Sequence, residues 1–227
     1  MRIYENFKEM LSEVQRDVVE LGTRVSSESV QNIQGVGEEY DMKEIIGYSY
    51  ELTDVETYAS SFSHREIQWL ALEFKERVDL RHINPGEAWK YRSEVWEAFL
   101  NNEGKFDYTY NERIRRQLGT LIGELRKRPN TRQAVMTIYS PGKDMVYLGG
   151  YRRIPCSLSY QFLRRRGHLY MVYNMRSCDV MTHFKFDVAL ACMLLIHVAK
   201  KTGAGVGSLI HNIGSLHIFK KDMRGIF

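Results

Sequence analysis

The chain has 227 residues, 44% of them apolar, with 32 Lys and Arg against 28 Asp and Glu for a formal net charge of +4. That composition excludes collagen-like, disordered and membrane-spanning classes and predicts one globular domain over residues 1–227, since a single core can grow to roughly 250 residues before chains divide. So small a positive excess does not mark a binder of nucleic acid polymers, although it suits a site that holds one phosphate.

Phe7, Leu11, Val14, Val18 and Leu21 recur at intervals of three and four, which predicts an amphipathic helix ended by Gly22. The polar, glycine-bearing segment 26–41 reads as a loop before a β-rich run, KEIIGYSYEL. Ser63 is placed to cap a helix containing REIQWLALEF; a loop at Asn84-Pro85-Gly86, an aromatic segment with Trp96 and a turn ending at Gly104 follow. Residues 111–127 form a second amphipathic helix on Ile114, Leu118, Leu121, Ile122 and Leu125, stopped by Pro129. AVMTIYS, SLSYQFLRR and LYMVYNMRS read as strands of one sheet, and SLIHNIGSLHIF as a last strand. Between them, Val188 to Ala199 is too short for the ~20 apolar residues of a membrane span and is read as a buried helix. The sum is an α+β fold with a mixed sheet packed by helices.

The first residues lack the continuous apolar core of a signal peptide. Cys156, Cys178 and Cys192 make no CxxC pair and have no His at zinc-ligand spacing, which argues against a disulfide framework or a structural metal and for a reducing cytoplasm. A cysteine beside a strand is ordinarily a buried filler. Cys156, however, follows Pro155 and has Arg152, Arg153 and Arg176 as candidate neighbours that would lower its pKa from about 8.5 and supply a thiolate.

Four segments carry a family resemblance: Ile154-Pro155-Cys156, Tyr160-Gln161-Phe162, Asn174 through Val180 (NMRSCDV), and Gly214 through Phe219 (GSLHIF). Together they resemble the thymidylate synthase superfamily and, within it, the bacteriophage deoxycytidylate hydroxymethylases. The separations from Cys156, 20 residues to Arg176, 31 to Asp187 and 61 to His217, look like the family's. The resemblance implies a homodimer formed through the sheet. It also implies a cysteine thiolate that adds to C6 of a pyrimidine nucleotide, making C5 nucleophilic toward the methylene carried by 5,10-methylenetetrahydrofolate, with no metal.

Carried over position by position, the resemblance makes Cys156 the nucleophile and leaves Cys178 and Cys192 structural. Arg176 and Ser177 would hold the phosphate, with Arg24 from the loop after Gly22. Arg132 resembles an arginine that reaches the phosphate of the neighbouring subunit; Gln133, a neutral amide, stands where a second arginine is usual. Glu66, in a Glu-x-x-Trp pattern, resembles the glutamate that organises water and relays protons. It also reads as part of a Ser63-x-x-Glu66 capping box, and its long separation from Trp96 keeps Glu73 in competition. Tyr110 or Tyr108 would help remove the C5 proton. Asp179 and the segment at Trp96 are assigned to the folate, and His217 to the sugar hydroxyl. Phe219 lacks the hydroxyl of the tyrosine often found there, so CMP and dCMP both stay open.

Asp187 stands where uracil-specific members have Asn, and Ser157 where they commonly have His. An amide satisfies N3-H and O4 of uracil; a carboxylate accepts from the N4 amine of cytosine, donates to N3 when protonated, and repels O4 of uracil when ionised. The competing reading makes Asp187 only the cap of a helix starting at Val188. With the chain stopping at Phe227, most of the closing segment that excludes water in the synthases is expected to be missing, which favours addition of water over hydride transfer. The sequence therefore predicts a cytidylate 5-hydroxymethyltransferase; a short thymidylate synthase acting on dUMP and a noncatalytic nucleotide-binding relative are the alternatives.

Overall fold

Along β6 (His168–Asp179), Leu169, Met171, Tyr173 and Met175 are buried while the residues between them are partly open, the period of two that places one face of a strand on a core. The computed structural model describes residues 1–29, 37–145 and 153–223; Arg152 and Phe227 lie outside them. Its strands are β1 (Arg2–Tyr4), β2 (Thr23–Val25), β3 (Met42–Leu52), β4 (Val135–Thr137), β5 (Ser157–Arg165), β6 and β7 (Gly205–Phe219). They form one mixed sheet in the order β1-β3-β7-β6-β5-β4, with β2 also on β3. β6 and β7 run parallel, joined by α6 (Phe184–Thr202), and β3 and β5 flank them antiparallel. The fold is thus α+β with a mixed sheet, as the pattern implied; β1 and β2, three residues each, are too short to show an alternation in the sequence.

Helix α1 (Phe7–Leu21) buries Phe7, Met10, Val14 and Val18, and its end at Gly22 has a cause other than a left-handed turn. Gly22 has φ −67° and ψ 137°, which any residue can adopt. A Cβ there would lie 2.4 Å from the carbonyl oxygen of Val18, so the close backbone approach requires glycine. The same holds at Gly214 in the GSLHIF segment, where a Cβ would lie 2.8 Å from the Arg176 carbonyl oxygen.

Helix α6 is buried on nearly every side, from Val188 and Leu190 to Val198 and Ala199, as befits a helix that is apolar all round. It starts at Phe184 rather than Val188, because the carbonyl of His183 already accepts the N–H groups of Phe186 and Asp187 and the rings of Phe184 and Phe186 belong to the core. No helix among the described residues is long and apolar enough to cross a membrane.

On the other side of the site, α2 (His64–Val78) and α4 (Tyr110–Lys127) both begin in capping boxes, Ser63 with Glu66 and Thr109 with Glu112. Asn111 fastens them together: its amide donates to the carbonyls of Glu76 (2.8 Å) and Asp79 (2.9 Å), satisfying the end of α2, and accepts from the N–H of Ile83 (2.9 Å). The aromatic segment folds as tight 3-10 turns around the one-turn helix α3 (Ser93–Trp96). Pro141–Asp144 forms a further single turn, α5.

Candidate active site

Cys156 stands one residue before β5, held in the ladder by the N–H of Arg176, which donates to its carbonyl (2.8 Å). The Arg176 guanidinium donates to the carbonyls of Pro155 and Ile154 (both 3.0 Å) and lies 3.9 Å from the Cys156 sulfur. The arginines do not lower the thiol's pKa. Burial at the cavity wall raises it, and Arg176 and Arg153 only oppose that rise. A charge busy with two carbonyls and partly open to solvent cannot outweigh loss of hydration around the sulfur.

The cavity that Cys156 lines is walled by α2, α3 and its flanking turns, the start of α4, the end of β6 and the start of α6. Asp187 lines it from the first turn of α6 and caps nothing, since the N-cap position belongs to His183. Burial pushes the Asp187 carboxyl up to about 6, against the pull of Arg77, Arg92 and Arg153. Glu73 faces the same space and pairs with Arg77 (2.7 Å). The Tyr110 hydroxyl bonds Ser157 (3.0 Å), which also bonds the Tyr173 hydroxyl (2.6 Å). A fully buried serine beside the nucleophile thus ties the first residue of α4 to the sheet. Burial raises Tyr110 well above the usual phenol range and Tyr108 to about 12, so both are neutral hydroxyls.

The third side of the cavity is aromatic and partly acidic. Trp96 packs beside His183, with ring centroids 5.7 Å apart, and carries Arg153 over its face at 4.4 Å. Asp179 is almost fully buried. Its Oδ1 accepts from the N–H groups of Met181 (3.0 Å) and Thr182 (3.3 Å), while Oδ2 has no partner among the described residues. Such an orphaned acceptor on a cavity wall calls for a donor from a ligand. His183, held down to about 4 by burial, is neutral beside it. Ser177 also lines the cavity.

Three of the residues expected in the site are elsewhere. Glu66 closes its capping box, accepting from the Ser63 N–H (2.8 Å), and pairs with Lys185 (2.5 Å); it does not line the cavity, whereas Glu73 does. His217 is in register with Asp179 across the β6–β7 ladder but does not line the cavity, and its buried Nδ1 has no partner among the described residues. Arg24 is exposed and paired with Asp41 (3.0 Å). Arg132, expected at the phosphate of a neighbouring subunit, is exposed on this one. Arg152 lies outside the described residues. Conversely, Arg77, Arg92 and His183 escaped the sequence reading; only Arg77 left a signal, an i, i+4 pairing with Glu73 on one helix.

The thymidylate synthase family model matches residues 5–226. Deoxycytidylate 5-hydroxymethyltransferases of enterobacteria phages T4 and T2 are each 26% identical over 194 residues, which cover 78% of this chain and 76% of theirs. A putative thymidylate synthase of Methanocaldococcus jannaschii is 32% identical over 115 residues, 50% of this chain and 52% of that protein.

Proposed function

The chain belongs to the thymidylate synthase family of one-carbon transferases, and on that premise we propose that it hydroxymethylates C5 of a cytidine monophosphate, dCMP or CMP, with 5,10-methylenetetrahydrofolate and water. The observation that carries this reading is Asp187, a carboxylate that shares the cavity with the Cys156 thiol and has no capping duty. Ionised, it accepts from the N4 amine of cytosine and repels O4 of uracil; protonated, it donates to N3.

The remaining roles follow from position. The sulfur of Cys156 adds to C6 and is expelled again at the end, with Arg176 beside it as the nearest cation. Ser177 and the solvent-facing side of Arg176 bind the phosphate. The neutral Tyr110 hydroxyl, held in place by Ser157, orients a water that carries the C5 proton to the Glu73 carboxylate on the same cavity, rather than acting as a free phenolate. Glu73, fixed by Arg77, orders the water that adds to the exocyclic carbon left on C5. The folate, when bound, supplies a carbon at the oxidation level of formaldehyde. The chain's residues suit its pterin ring: the orphaned Asp179 Oδ2 is an acceptor for ring N–H donors, and Trp96 offers a stacking face. In a homodimer built through the sheet, exposed Arg132 of a second copy would complete the phosphate site.

The test is a panel of CMP, dCMP, UMP and dUMP with the folate, read by product mass. Cytidylate gaining the elements of CH2O is expected. Methylation of dUMP alone, or no turnover of any cytidylate, would overturn the reading.

A further inference from the structure

Arg77 lies one turn after Glu73 on α2, and three observations converge on it. Its Nε–Oε1 pairing with Glu73 is 2.7 Å long, with the two side chains only 13% and 21% exposed. Its guanidinium carbon is 4.0 Å from the centroid of the Tyr110 ring, whose hydroxyl bonds the serine next to Cys156. It also lines the cavity with Asp187.

We propose that Arg77 is a positioning and specificity-determining residue: it fixes Glu73 and Tyr110 at the cavity wall and is the cation that shares the cavity with Asp187, so that cytosine is chosen over uracil. This rests on the reading of Asp187 as the group that recognises the base. Asp187 is faced by Arg77 and Glu73 from α2, by Arg92 from the turn before α3 and by Tyr110 from α4. Arg153 and Cys156 face it from the segment entering β5, and His183 precedes it on its own side. The sheet contributes Tyr160, Tyr173 and Cys178, all kept neutral by burial.

Of these charges Arg77 opposes the burial of Asp187 most strongly, and Glu73 acts the other way. Arg92 is tied to the Thr182 carbonyl (3.0 Å), and Arg153 lies over the ring of Trp96. The sign then follows. Protonated Asp187 can donate to O4 of uracil as well as to N3 of cytosine, so discrimination appears only as pH rises through its titration, near 6. Removing Arg77 moves that titration upward and lets uracil in at neutral pH.

The experiment measures Kd for dCMP and dUMP by calorimetry on the full chain across about pH 5 to 8. In the wild type, the ratio of the two should rise with a midpoint near 6. In Arg77→Met the midpoint should move up by ~0.5 to 1 unit and dUMP should bind up to about five-fold more tightly at pH 7, because more of the acceptor carboxyl is protonated. Arg77→Lys keeps the charge without the fork and stacking face, so its midpoint should stay while kcat for cytidylate falls about ten-fold with little change in KM. Glu73→Gln, which removes the opposing charge, should move the midpoint down; it decides the electrostatic claim if Arg77→Met does not fold. An unmoved midpoint in Arg77→Met or Glu73→Gln overturns that claim, and an unchanged kcat in Arg77→Lys overturns the positioning role. A wild type with no preference for cytosine at any pH would overturn the reading of Asp187 as well; a wild-type midpoint that the variants leave in place overturns this inference alone.

Discussion

The wall of the cavity that carries Cys156, Asp179 and Asp187 is made of consecutive strands and the start of α6, whereas the facing wall, with Glu73, Arg77, Trp96 and Tyr110, is made of helix ends and 3-10 turns. On the first wall, backbone register sets position: the Arg176 N–H bonds the Cys156 carbonyl, and Asp179 pairs with His217. On the second, side chains set it: Asn111 joins α2 to α4, and Asn84 exchanges two hydrogen bonds with the backbone of Phe106, both 2.9 Å. Groups on a ladder can be found by counting residues. Groups held by caps and packed rings cannot, because small changes in helix phase or turn shape re-aim them.

The sharpest way to break the comparison is at the nucleophile. Cys156→Ser should lower turnover by at least about 10⁴-fold while leaving nucleotide Kd within a few-fold, since a serine hydroxyl without a dedicated base is a weak nucleophile. Near-normal turnover, measured by product mass, would show that the strand wall binds but does not react. On the opposite wall, Glu73→Gln should reduce kcat by about 10² to 10⁴-fold, the usual range for a group that moves protons or orders water. If Glu66→Gln showed that loss instead, the cavity would be lined differently from the geometry described.

Asp187→Asn sits between these in size. It should shift the dCMP to dUMP ratio of kcat/KM toward uracil by roughly ten- to several-hundred-fold, from ~1 to 3 kcal/mol per buried polar group left unpaired. It should also stabilise the fold at alkaline pH. The carboxyl titrates at about 6 in the folded chain against an ordinary value of 3.8, so its ionisation disfavours folding as pH rises through that window, a cost of up to about 3 kcal/mol that the neutral amide lacks. A helix-capping aspartate would behave in the opposite way, and thermal unfolding at two pH values separates the two. Mixing Cys156→Ser with Arg132→Ala chains should restore part of the activity if the phosphate site spans two subunits; confirmed heterodimers without rescue would count against a shared site. The smallest effect belongs to Glu66→Gln, which should cost about 0.5 to 1 kcal/mol of stability through its cap and leave kcat within about two-fold.

Much of the strand wall was legible. Runs rich in β-branched and aromatic residues marked β5 and β6, the apolar run marked α6, and the family resemblance placed Arg176 and Asp187 with Cys156 on one site before any coordinates. The sequence left open which glutamate and which tyrosine face the substrate. Glu66 and Glu73 are seven residues apart, two turns of one helix, so they share a face and differ by roughly 10 Å along its axis. Periodicity cannot separate them.

What the amino-acid order determined by itself is therefore the local part: a mixed α+β chain, a capped α2, and a cysteine and an arginine that the β5–β6 pairing brings together. The tertiary structure decided the rest. The depth at which α2 meets the cavity selects Glu73 and brings Arg77 over the Tyr110 ring. The start of α6 at Phe184 removes Asp187 from the cap and makes it a half-buried, charge-sensitive part of the cavity wall. Burial around Cys156 outweighs its arginines. Each of these outcomes depends on desolvation and on contacts between distant segments, and neither is encoded in any one stretch of chain.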